Sequence, residues 1–133
     1  MTRASALLLA ALLVACAGLK AGDAPRLRLG ADACARCGMI VSDEKFAAGY
    51  VSDEGESVVF DDLGELLAAL DESPALRPRA WVRDLNGTGW VRLAEAKTVR
   101  GAGVGTPMGT GWVAFAKPAD AEAFTKARSR SER

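Results

Sequence analysis

Histidine is absent from the 133-residue chain. Without an imidazole there is no Ser-His-Asp or Cys-His catalysis, no histidine-ligated zinc site and no histidine pH switch. Cysteine is scarce, at three residues, too few for a four-cysteine zinc or iron–sulfur site. There is no excess of either charge, with 17 Lys and Arg against 17 Asp and Glu. That balance argues against nucleic acid and against electrostatic membrane binding, both of which want a basic surface. The apolar run from Ala4 to Val14 has 11 residues, where a bilayer-spanning helix needs roughly 20.

Hydrophobic residues make up 50% of the chain, so it is no disordered tail, and its length suits one small domain. Met1-Thr2-Arg3 is a short positive start, and the run to Val14 fits the apolar region of a secretory signal. It ends in Leu13-Val14-Ala15-Cys16, which resembles a bacterial lipobox, where the cysteine becomes the lipidated N-terminus. The expected division is therefore a cleaved signal peptide over 1–15 and a lipid anchor and linker over 16–29. The domain follows over 30–128, and a disordered tail over 129–133. The mature chain sits outside the cytoplasm on a membrane, and Cys16 does no metal or redox chemistry. Cys34 and Cys37 remain, in a compartment where disulfides persist.

Phe46–Val51 and Ser57–Phe60 read as paired strands around the turn Asp53–Glu56. Leu63, Leu66, Leu67 and Leu70 fall at helical spacing on one apolar stripe, with Asp62 and Glu65 placed as a capping box. Trp81–Leu85 and Gly89–Leu93 flank Asn86-Gly87, a hairpin signal. Lys97–Arg100 and Trp112–Phe115 are further strands on either side of a glycine-rich loop, and Pro118 opens a last helix. Ser57–Phe60 with its helix echoes Trp112–Phe115 with its own. The fold class is therefore α+β, with two small related strand–strand–helix modules sharing a core.

The chemistry concentrates in Cys34-Ala35-Arg36-Cys37-Gly38-Met39. A Cys-x-x-Cys turn aims both sulfurs at one point, and in extended backbone residue i+2 shares the face of residue i. Met39 then joins the thiolates. Soft sulfur donors without imidazole favour Cu(I), whereas zinc normally takes four ligands. Met108, in Thr106-Pro107-Met108-Gly109, is either a remote fourth sulfur or a gap-filling side chain. Two other readings of the cysteine pair stay open: a structural disulfide across a short loop, and thioredoxin-type redox catalysis, for which Gly38-Met39-Ile40-Val41 is a poor helix start. Arg36 between the cysteines either depresses their pKa values or is simply solvated. Asp61 and Asp62 read as helix caps before they read as metal ligands. Trp81, Trp90 and Trp112 read as half-buried packing residues.

Several pieces together resemble the NosL family, lipid-anchored copper accessory proteins of nitrous-oxide reductase. These are the lipobox, Cys34-x-x-Cys37-Gly38-Met39-x-Val41-x-Asp43, Phe60-Asp61-Asp62, Trp81-Val82-x-Asp84, Thr106-Pro107-Met108-Gly109 and Ala114-Phe115, spread over about Cys34 to Phe124. The resemblance implies an α+β, two-module domain that is not an enzyme. It implies Cu(I) held by Cys37 and Met39 first, then Cys34, then Met108. It also implies delivery to apo-nitrous-oxide reductase or another cuproenzyme, beside a membrane ABC-transporter complex. Many relatives carry a histidine near the site, where this chain has Ala35 and Arg36; here either sulfur completes the site or copper is held more weakly. The rival readings are an extracytoplasmic thiol–disulfide oxidoreductase using Cys34 and Cys37, and a structural lipoprotein with a Cys34–Cys37 disulfide.

Overall fold

The structure, a computed structural model, describes residues 17–87 and 89–133. The signal peptide and the lipidated Cys16 expected from the sequence lie outside the described residues. Ala48–Val51 (β1) and Ser57–Phe60 (β2) pair antiparallel, Ala48 opposite Phe60 and Val51 opposite Ser57. Helix α1, Leu63–Glu72, follows directly. Its Leu63, Leu66 and Leu70 are buried, each contributing about 2 kcal/mol by leaving water. Trp81–Arg83 (β3) and Trp90–Arg92 (β4) add to the other edge of β1, giving a four-stranded sheet of order β2-β1-β3-β4. Lys97–Arg100 (β5) and Trp112–Phe115 (β6) form a separate two-stranded sheet, and Pro118–Ser131 (α2) closes the chain. The architecture is α+β.

Alternation along the strands decides which side chains meet α1. Ala48, Phe60 and Val82 point to it and form the main core with Leu63, Leu66, Leu70, Ala80, Cys34 and, from β6, Ala114. Val113 and Phe115 face the other way, towards Ala121 and Phe124 of α2. The opposite face of the large sheet is covered by the chain's own N-terminal segment. Leu27 and Trp90 pack there on Val41, Ala47 and Val59, and the Trp81 ring nitrogen donates to the Gly22 carbonyl at 3.2 Å. Cross-strand Trp–Arg pairs finish this face, with Arg92 4.8 Å above Trp81 and Arg83 4.4 Å above Trp90.

The hairpin expected around Asn86-Gly87 is formed, β3 pairing with β4 antiparallel, with both strands shorter than the apolar pattern suggests and Asp84 accepting from the Asn86 N–H at 3.3 Å. Two local expectations are corrected. The first strand starts at Ala48, because Asp43 caps a 3-10 turn over Glu44–Phe46. Helix α2 runs to Ser131, into the stretch expected to be a disordered tail.

Candidate metal centre

The cysteine loop is built by backbone bonds before any side chain acts. Gly30 N–H donates to Val41 C=O at 2.9 Å, Val41 N–H to Asp32 C=O at 2.9 Å, and Ala33 bridges Ile40, which closes the loop at its base. Inside it, Cys34 N–H donates to Met39 C=O at 2.8 Å and Gly38 N–H to Cys34 C=O at 2.9 Å. Gly38 sits at φ +76°, a left-handed conformation that favours glycine and turns the chain between Cys37 and Met39. The same-face relation expected of Cys37 and Met39 in extended backbone therefore does not apply. Ala35 N–H donates to Val59 C=O at 2.8 Å, so the loop covers the outer edge of β2, an edge strand.

This docking brings Cys34 Sγ, Cys37 Sγ and an Asp61 carboxylate oxygen within 4.8 Å of one another. Both thiols are free; Cys34 is buried in the main core and Cys37 is half-buried. The Cys37 N–H points at Cys34 Sγ at 3.4 Å, and the Cys37 thiol lies 3.5 Å from Asp61 Oδ1. Burial is the main cause that pushes the Cys37 thiol up to about 11, with the neighbouring Cys34 and Asp61 adding to it. Arg36 does not offset this. Its guanidinium reaches away to α1, 3.2 Å from Glu65 and 2.8 Å from Glu72, and straps the loop to the helix. Glu65 is thereby drawn to Arg36, while Asp62 alone caps the helix through the Gly64 N–H at 2.8 Å.

Asp61, read from the sequence as a helix cap before a metal ligand, stands instead with the thiols. Two aspartates precede one helix and only one can cap it. Asp62 takes that role, and Asp61, also buried, is left facing the thiols. The signal available in the sequence was that surplus carboxylate at a strand end.

Asp62 also fixes the second loop. Its Oδ2 accepts the Met108 N–H at 2.9 Å, and its Oδ1 accepts the Thr110 hydroxyl. Burial alone would raise its pKa, but hydrogen bonds from Thr110, Thr106, Met108 and Gly64 outweigh burial and hold it below the usual carboxylate value. Close approach matters here: a Cβ on Gly64 would lie 2.4 Å from Thr110 Oγ1 and Cβ. The adjacent aspartates thus join both loops, Asp61 touching the one that carries Cys34, Cys37 and Met39, and Asp62 the one that carries Met108. The structure brings the two cysteines together with Asp61. The side chains of Met39 and Met108 are exposed on the flanking loops, at 54% and 38%.

Two thiols and a carboxylate converging on a small α+β scaffold make a group, mainly of soft donors, that could hold a metal ion. The NosL family model matches residues 29–129, and the chain belongs to the NosL family. No curated protein and no solved structure matches it.

Proposed function

We propose that this protein is a lipid-anchored, extracytoplasmic Cu(I) carrier, not an enzyme, which passes the ion to a cuproenzyme by ligand exchange. In the setting of the family, that acceptor is apo-nitrous-oxide reductase, loaded beside a membrane ABC-transporter complex. The observation that carries the reading is the convergence of Cys34, Cys37 and Asp61 within 4.8 Å at the junction of the two methionine-bearing loops. Copper is cargo here. The cysteine sulfurs grip it as thiolates, each giving up a proton, and Met39 and Met108 supply thioethers from the exposed side. An incoming donor from the acceptor replaces one sulfur at a time, so the ion never passes free through water. Lipid on Cys16 confines the carrier to the membrane surface and raises its effective concentration for a partner there.

The test is anaerobic titration of the reduced protein with Cu(I) against a competing chelator, on wild type and on Cys34→Ser, Cys37→Ser, Met39→Leu and Met108→Leu. Wild type should hold stoichiometric copper, both serine variants should lose it, and the leucine variants should weaken it. A wild-type affinity no better than that of Cys37→Ser ends the carrier reading.

A further inference from the structure

The segment before the cysteine loop is a packed strap. Lys20 and Asp23 close a turn, the Asp23 side chain accepting from the Lys20 N–H at 2.8 Å. Gly22 C=O receives the Trp81 ring N–H, and Pro25 is buried over Gly49. The Arg26 N–H donates to Ser57 Oγ at 2.8 Å. Leu27 reaches the cluster of Val41, Ala47 and Val59. At its start, the Leu19 carbonyl lies against Gly55 in the β1–β2 turn, where a Cβ would come within 2.6 Å of it.

The strap therefore begins at one end of the sheet and finishes at the other. The β1–β2 turn marks its beginning. At the far end β2 leaves the sheet through Asp61, into the sulfur cluster. The chain from Gly55 to Asp61, at about 3.3 Å per extended residue, separates the two ends by about 15–20 Å. Leu19, which rests on the turn, follows Cys16 by three residues, a tether of at most about 10 Å. The turn carries exposed Asp53, Glu54 and Glu56, which have no affinity for the interior of a bilayer. None of the exposed large hydrophobic side chains among the described residues is on the turn: Leu29 at 47%, Met39 at 54% and Ile40 at 49% are on or beside the cysteine loop, and Met108 at 38% is on the second loop. Leu29 and Ile40 bring no donor atom to a metal, so copper binding alone does not account for their exposure.

We infer that residues 17–28 are a strap that turns the sulfur cluster away from the bilayer, so that its apolar rim is offered to an extramembrane protein domain and not to lipid. This rests on the lipid anchor at Cys16 proposed above. The partner it fits stands clear of the headgroups and presents its own copper site within an apolar collar.

The experiment uses the full chain, lipidated in cells and reconstituted in phosphatidylcholine vesicles that carry an acceptor-labelled lipid. A donor fluorophore is placed on Glu54→Cys or on Met39→Cys, each in a Cys34→Ala, Cys37→Ala background. Energy transfer should be clearly higher from position 54 than from position 39, and a long Gly-Ser spacer inserted between Gly18 and Leu19 should erase the difference. Equal transfer, or more from position 39, overturns the strap. A second measurement needs no substitution: Cys37 of the wild-type lipoprotein should react with a bulky maleimide at the same rate before and after the vesicles are dissolved in detergent. A several-fold gain on dissolution places the cluster against lipid and overturns the inference. Flotation with vesicles and the lipid mass on Cys16 are read in the same samples. A chain that does not float removes the anchor and takes the inference with it, whereas one that floats with equal transfer leaves the anchor intact and refutes the strap alone.

Discussion

Replacing Asp62 is expected to loosen the Met108 loop from α1 while the rest of the domain stays folded. The side chain has no exposed surface, and its oxygens are committed: Oδ1 to the Gly64 N–H and the Thr110 hydroxyl, Oδ2 to the Met108 N–H, with the Thr106 side chain as a further hydrogen-bond partner. In Asp62→Asn the remaining carbonyl oxygen still serves Gly64 and Thr110. The new amide then meets the Met108 N–H donor to donor, which costs about 2 kcal/mol for a charge-assisted bond lost and not replaced. In Asp62→Ala the helix cap goes as well, and the total rises to about 3–4 kcal/mol. Because the Thr106 hydroxyl can rotate to another acceptor while the Met108 N–H cannot, the principal damage in the Asn variant falls on one contact, and about 2 kcal/mol corresponds to roughly 30-fold faster amide exchange at Met108 if the loop opens by itself. Denaturant unfolding of reduced, metal-free protein gives the first quantity and exchange gives the second. The sign of the pH dependence follows from the lowered pKa. Asp62 contributes its full stabilisation above the ordinary carboxylate value of 3.8 and loses it as the pH falls through its lower folded value. The gap between wild type and Asp62→Asn should therefore close in acid. An Asn variant within about 0.5 kcal/mol of wild type at neutral pH, with unchanged exchange at Met108, refutes the claim that this carboxylate holds the loop.

Further expectations follow from the same geometry. With the Cys37 thiol pushed to about 11, copper must displace its proton. The apparent Cu(I) affinity should then climb about tenfold per pH unit for this proton alone, and a flat profile between neutral and alkaline pH would contradict it. Asp61 is a hard oxygen donor beside soft sulfur, so Asp61→Asn should weaken Zn(II) binding at least ten times more than Cu(I) binding, by roughly 1.4 kcal/mol or more, in parallel competition titrations. Gly64→Ala gains up to about 1 kcal/mol of helix propensity. Its Cβ would nonetheless press on Thr110 at 2.4 Å, so a net loss of about 1–3 kcal/mol should appear in denaturant unfolding.

Much of the scaffold was legible from local pattern. The leucine stripe gave α1, because one face of that helix is buried and the other is not. Short apolar runs bounded by turn residues gave β2 and β6, which bury side chains on both faces: Phe60 and Ala114 in the main core, Val59 and Val113 in the clusters behind. Less legible was what pairs with what. The β3–β4 hairpin joins the first sheet through β1, leaving β5–β6 as a sheet by itself, and no spacing in the sequence announces that choice. The stretch before Leu29 reads as a linker from its small and charged residues. It is held by contacts with Ser57, Gly49 and Trp81, far along the chain. Met39 was placed by assuming extended backbone, and the left-handed Gly38 removed that assumption.

The same contrast between local and long-range signals explains why the choice between cap and ligand at Asp61 was settled only in three dimensions. A pair of cysteines with two residues between them advertises itself, since the turn that joins their sulfurs is short. Asp61 reaches Cys37 across 24 positions, through an edge strand that must first accept the Ala35 N–H. At the strand-to-helix junction, neighbouring residues necessarily project in different directions. One aspartate cannot both cap α1 and face the thiols, and two in succession do both. On this view Asp61-Asp62 is a hinge pin for the site. It registers the cysteine loop and the Met108 loop against one helix terminus, so that shifting either aspartate shifts the donor set and not merely the local stability. The two loops keep separate attachments, Ala35 N–H on Val59 for one and Met108 N–H on Asp62 for the other, which under the proposed function suits release of an ion by exchanging one donor at a time.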